Sequence, residues 1–156
     1  MLETNEKIAR ALTQKKRAEL YKRITQAAAM KKGAILSQHE QNLRAAQTDI
    51  SSKESEIETW VSASTERAAK QIIINPEMRS LEQVAYGAQT HVLGTLYRER
   101  DDLQAKTKCL QDKQLQSTLK IRRIDESIDS LGDNIRLAKN YRELSEINLA
   151  SEKRGK

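Results

Sequence analysis

Apolar residues recur along most of this chain every three or four positions, the spacing of one face of an α-helix. The clearest pattern lies in the second half. Leu96, Leu103, Leu110, Ser117, Ile124, Leu131, Ala138 and Ser145 are seven residues apart, and so are Leu93, Arg100, Thr107, Gln114, Ile121, Ile128, Ile135, Arg142 and Leu149. Interleaved, the two series form one unbroken coiled-coil seam, strongest from Ile121 to Ile135. Residues 36–75 carry a diluted version: Leu36, His39, Leu43, Ala46, Ile50, Lys53, Ile57, Trp60 and Ser64. Polar members such as His39 and Lys53 lower stability while fixing register. In residues 1–35 the apolar positions Ile8, Leu12, Leu20, Ile24 and Ala27 share a face without a strict heptad, so a stutter is expected near Gly33.

The periodicity breaks at Ile72-Ile73-Ile74-Asn75-Pro76-Glu77-Met78, which holds the single proline of the 156 residues. Proline lacks a backbone N–H, clashes with the preceding turn and moves the residue before it out of the α region. Asn75 suits an N-cap, Pro76 the first helical position and Glu77 the positive end of a new helix. The chain is therefore expected to be a single domain, 1–156, of the all-α class: a long antiparallel two-helix coiled-coil hairpin. Helix 1 is placed at about 4–73, the turn at about 74–76 and helix 2 at about 77–151. Folding at the turn sets Ile57 level with Leu96, Ile50 with Leu103, Leu43 with Cys109 and Leu110, Ile24 with Ile128 and Ile8 with Leu144. A kinked single helix and a parallel dimer of extended helices are the alternatives; the second leaves Pro76 unexplained.

Composition agrees with long helices rather than a broad core. Charged residues make up 32%, aromatics 3%, and phenylalanine is absent, so burial must come from a narrow seam. Cys109 is the one cysteine, which excludes an internal disulfide and fits a reducing compartment. The N-terminus has no apolar signal core, and no stretch approaches a membrane span. The expectation is a soluble cytoplasmic protein without direct membrane insertion.

Catalysis is not expected. His39 and His91 are the two histidines and lie in no metal-binding spacing, no glycine-rich phosphate loop is present, and a two-helix hairpin offers no closed pocket. No enzyme activity, cofactor, metal or small-molecule substrate is foreseen. Partner binding is. Residues 1–35 hold nine Lys and Arg against three Glu, including Lys15, Lys16, Arg17, Lys22 and Arg23. Such a basic stretch is either a solvated coiled-coil face or a contact for an acidic protein surface; nucleic acid is less favoured, because no aromatics interleave for stacking. A second departure is the run from Gln83 to Tyr97, which has no charged residue. With Ile72, Ile73 and Ile74 just before the turn, Val84, Tyr86, Gly87 and His91 mark a turn-end interface. The competing view is that its small residues let the two helices approach closely.

A basic chain of this length, with two long helices, a turn near the middle, both termini together and an uncharged patch beside the turn, resembles the FliJ/YscO family of type III secretion systems. The Val84, Gly87 and His91 spacing is similar to part of that family's second helix, and a virulence-type member fits better than a flagellar one. The resemblance implies a non-catalytic cytoplasmic stalk at the inner-membrane face of a secretion apparatus. The end with both termini would engage the hexameric secretion ATPase, through Lys15, Lys16, Arg17, Lys22 and Arg23. The turn end would engage the export-gate protein, and secretion chaperones are further implied partners. A generic coiled-coil spacer or adaptor and a basic nucleic-acid-binding arm are the alternatives.

Overall fold

Asn75 starts the second helix as its chemistry requires. Its side-chain Oδ1 accepts a hydrogen bond from the Glu77 amide at 3.2 Å, and its carbonyl accepts the Arg79 amide at 3.2 Å. An asparagine cap of this kind contributes about 1 kcal/mol to the helix it begins. In the computed structural model, which describes residues 2–70 and 75–154 (without the side chains of Leu2, Lys153 and Arg154), the chain is all-α. Two helices, α1 (Leu2–Ala69) and α2 (Pro76–Arg154), make a helical hairpin. Helix α1 is described to Ala69, with Lys70 in a turn whose amide still reaches the Glu66 carbonyl at 3.0 Å, and the expected end near 73 lies outside the described residues. The isoleucines 72–74 lie outside the described residues.

Packing divides the hairpin into two units: Met1–Gly33 with Lys113–Lys156, and Ala34–Asp112. Lettering Ile8 of α1 and Leu93 of α2 as heptad position a orders both. In the second unit, α1 turns Leu36, Leu43, Ile50, Ile57 and Ser64 (a) and His39, Ala46, Lys53, Trp60 and Arg67 (d) inward. Ile50 is the best covered, at 5% exposure. Here α2 answers with Leu93, Leu96, Leu103, Thr107 and Leu110. Thr107 is buried because its hydroxyl is satisfied internally, donating to the Leu103 carbonyl at 2.7 Å. Antiparallel pairs close the unit: Gln111 donates to Glu40 at 3.2 Å, and Arg67 meets Glu82 at 3.1 Å. Cys109 lies at an outward c position and is exposed, so the expected facing of Leu43 and Cys109 does not occur.

The first unit departs furthest from expectation. Its α1 seam is Ile8, Ala11, Lys15, Ala18, Lys22, Thr25 and Ala29. These residues continue the same heptad that runs on through Leu36, so Gly33 marks no stutter. Leu20 and Ile24, expected on the seam, are 60% and 59% exposed. A seam of alanine, lysine and threonine buries little, and the isoleucines opposite show it. Ile121, Ile124 and Ile128 are only half-buried, and Ile135 alone of that ridge is buried. Polar contacts trim the edges: Lys22 pairs with Asp125, Lys32 donates to Ser117 at 3.2 Å, and Arg142 donates to Asn5 at 3.3 Å. Lys15 Nζ lies over Gly132, 3.6 Å from where a Cβ would stand. The expected pairs Ile24 with Ile128 and Ile8 with Leu144 are not made, since Ile24 and Leu144 are exposed.

Candidate partner-binding surfaces

At the turn end of the second unit, Trp60 and Tyr86 stack across the hairpin with ring centroids 5.6 Å apart and planes at 20°. The indole and phenol offer flat apolar faces, and an offset stack of this type adds about 0.5–1.5 kcal/mol beyond its burial. Glu56, Ile57, Ala85 and Gln89 complete a small cleft of about 110 Å³ around the pair. Tyr86 is thus an anchor of the hairpin as much as an outward residue. One step further along, the Tyr97 hydroxyl donates to the Glu54 carboxylate, and Arg100 stands 5.1 Å from the Tyr97 ring centre. That hydrogen bond to Glu54, helped by desolvation and by the carboxylate charge, holds the phenol above its ordinary pKa.

The outer face of α2 just beyond the turn has no cover. Val84 is 68% exposed, Leu81 and Met78 are exposed beside it, and Gly87 and His91 continue the exposed stretch. Gly87 and Gly94 are not close-approach glycines, because nothing lies within 4 Å of a Cβ built on either. Thr90 and Thr95 turn their hydroxyls onto backbone carbonyls of Tyr86, Gly87 and His91, so their polarity is spent within the helix. The result is an uncharged, largely apolar surface. Of the turn-end residues expected from sequence, Val84, Gly87 and His91 sit on it, Tyr86 adjoins it through Trp60, and Ile72, Ile73 and Ile74 lie outside the described residues. Met78 and Leu81 were missed, because Glu77, Arg79 and Glu82 interrupt the stretch in sequence; Arg79 and Glu82 face elsewhere around the helix, and Glu77, one turn before Leu81, bounds the face at its turn end.

The basic cluster of the first unit is not one patch. Lys15 and Lys22 are half-buried seam members, the second paired with Asp125. Lys16 and Arg23 occupy position b and Arg17 position c, on opposite flanks of α1, and all three are exposed. Among the described residues no cluster of three His, Cys, Asp or Glu could hold a metal ion, and no helix is long and apolar enough to cross a membrane. No family model matches the chain, and neither a curated protein nor a solved structure matches it.

Proposed function

We propose that this protein is a non-catalytic coupling component of a bacterial type III secretion apparatus, a stalk of the FliJ/YscO kind linking the secretion ATPase to the export gate. The observation that carries the reading is the uncharged face of Met78, Leu81, Val84, Gly87 and His91, held beside the turn of a helical hairpin by the Trp60–Tyr86 stack. A plain spacer gains nothing from so much apolar surface left open to water. The unit that holds both termini supplies exposed cations for the ATPase, and it could engage secretion chaperones as well.

The two contacts differ in chemistry and separate by mutation. Leu81→Asp with Val84→Asp should abolish secretion and export-gate binding while leaving ATPase binding intact, because both side chains point to solvent and the Trp60–Tyr86 stack is untouched. Lys16→Glu, Arg17→Glu and Arg23→Glu together should weaken ATPase binding about tenfold at low salt, with the difference shrinking as salt rises. Titration of the purified ATPase hexamer, alongside a secretion assay, reads both. Normal secretion by the Leu81/Val84 variant rules the reading out.

A further inference from the structure

The first unit has one flank without acid. From Arg10 to Gly33 in α1, and from Lys113 to the end of the described α2, no Asp or Glu occupies a c or g position. Arg17 and Lys31 of α1 and Lys113, Lys120 and Arg123 of α2 do, all exposed and none in an ion pair among the described residues. The acids of α2 level with the basic rows (Asp125, Glu126, Asp129 and Asp133) stand at e, f and b, on the other flank and the outer edge. Between the basic rows runs a groove of about 260 Å³ lined by Ala18, Tyr21, Lys120, Arg123, Ile124 and Ser127. Its floor is apolar and incompletely covered, because Ala18 is too small to shield Ile124, and Ile24 lies exposed beside it.

The geometry points to a third helix in this groove: an amphipathic helix of a partner protein whose apolar stripe is flanked by Asp and Glu. Its apolar side chains would cover Ile124, Tyr21 and Ile24, and its carboxylates would meet Arg17, Lys31, Lys120 and Arg123. Three other occupants fit less well. A symmetric second copy sets the basic rows against themselves. A bilayer surface is too flat to reach a floor at Ala18 and Ile124. Nucleic acid gains nothing from Ile24, and the Tyr21 ring already carries Lys120 Nζ 5.2 Å from its centre rather than a free stacking face. The inference takes no support from the secretion reading and stands or falls separately from it.

The test uses a labelled synthetic helical peptide with a leucine stripe flanked by glutamates, a matched peptide with lysines in their place, phosphatidylserine vesicles and duplex DNA. The full chain should bind the glutamate peptide and not the lysine peptide. Lys120→Glu with Arg123→Glu should weaken that binding at least about tenfold, with far-UV circular dichroism unchanged. In a Cys109→Ser background, Ser127→Cys should trap a cysteine-bearing glutamate peptide as a mixed disulfide several-fold more than Asp133→Cys on the outer edge; this arm decides the matter on an otherwise native groove should the reversal variant unfold. Equal binding of both peptides, undiminished affinity in a folded reversal variant, or equal trapping at 127 and 133 overturns the proposal. So does a reversal variant that loses vesicle or DNA binding while keeping the peptide, which assigns the basic rows to lipid or nucleic acid.

Discussion

Ile50→Ala should lower the urea midpoint sharply, and Ile24→Ala should leave it almost unchanged. The two residues look alike in sequence, each an isoleucine at helical spacing from its apolar neighbours. In the structure one is 5% exposed and the other 59%. Truncating a buried isoleucine removes its transfer free energy and leaves a cavity, about 2–5 kcal/mol. Truncating an exposed one stays within about 0.5 kcal/mol, and alanine's better helix propensity returns a few tenths. Equilibrium unfolding followed by circular dichroism distinguishes the two. Similar losses at both positions contradict the assignment of the α1 seam to Ile8, Ala11, Lys15, Ala18, Lys22, Thr25 and Ala29.

Lys15→Leu combined with Lys22→Leu should make the protein more stable, which is unusual for a double substitution of native residues. Both lysines hold a positions, opposite the half-buried isoleucine ridge of α2. Leucine there would place apolar atoms where the lysines now divide themselves between stem and charge. The Lys22–Asp125 pair is lost, but its side chains are 31% and 42% exposed, so it is worth at most about 1 kcal/mol. Asp125 stays in reach of water. A fully buried leucine contributes about 1.5–3 kcal/mol, and even half of that at two positions outweighs the pair. The net gain should be about 1–2 kcal/mol, read as a higher urea midpoint and a higher melting temperature. A loss of stability means that the lysine stems already fill the seam.

The contrast between the arms explains what the sequence could and could not reveal. In α2 the seam from Leu93 to Ala138 is legible because its inward positions are mostly leucine and isoleucine, and two of its polar members, Thr107 and Ser117, satisfy themselves on their own helix. The second helix start is legible because Asn75 and Pro76 each do one thing only. The first arm misleads because reading apolar size as inwardness selects Leu20 and Ile24, whereas the close neighbour across the seam admits alanine, threonine and a lysine stem. The heptad was present all along as Ile8, Lys15, Lys22, Ala29 and Leu36, hidden by two charges. The turn-end face was half legible: the absence of charge after Gln83 marked it, but only the structure joins Met78 and Leu81 to Val84. The tie between Trp60 and Tyr86 needs the hairpin's register, which sequence spacing gives only to within several residues.

Even the best-covered of the described residues, Thr107, keeps 4% exposure. Water therefore already wets part of nearly every apolar group in the native state, and unfolding changes its hydration less than it does for a globular domain. The heat capacity increment on unfolding follows newly exposed apolar area, about 12–15 cal/mol/K per residue in ordinary domains. Here it should fall below that range. A small increment reduces the curvature of stability against temperature, so calorimetry should show only a small baseline step across the transition and cold denaturation should move to lower temperature.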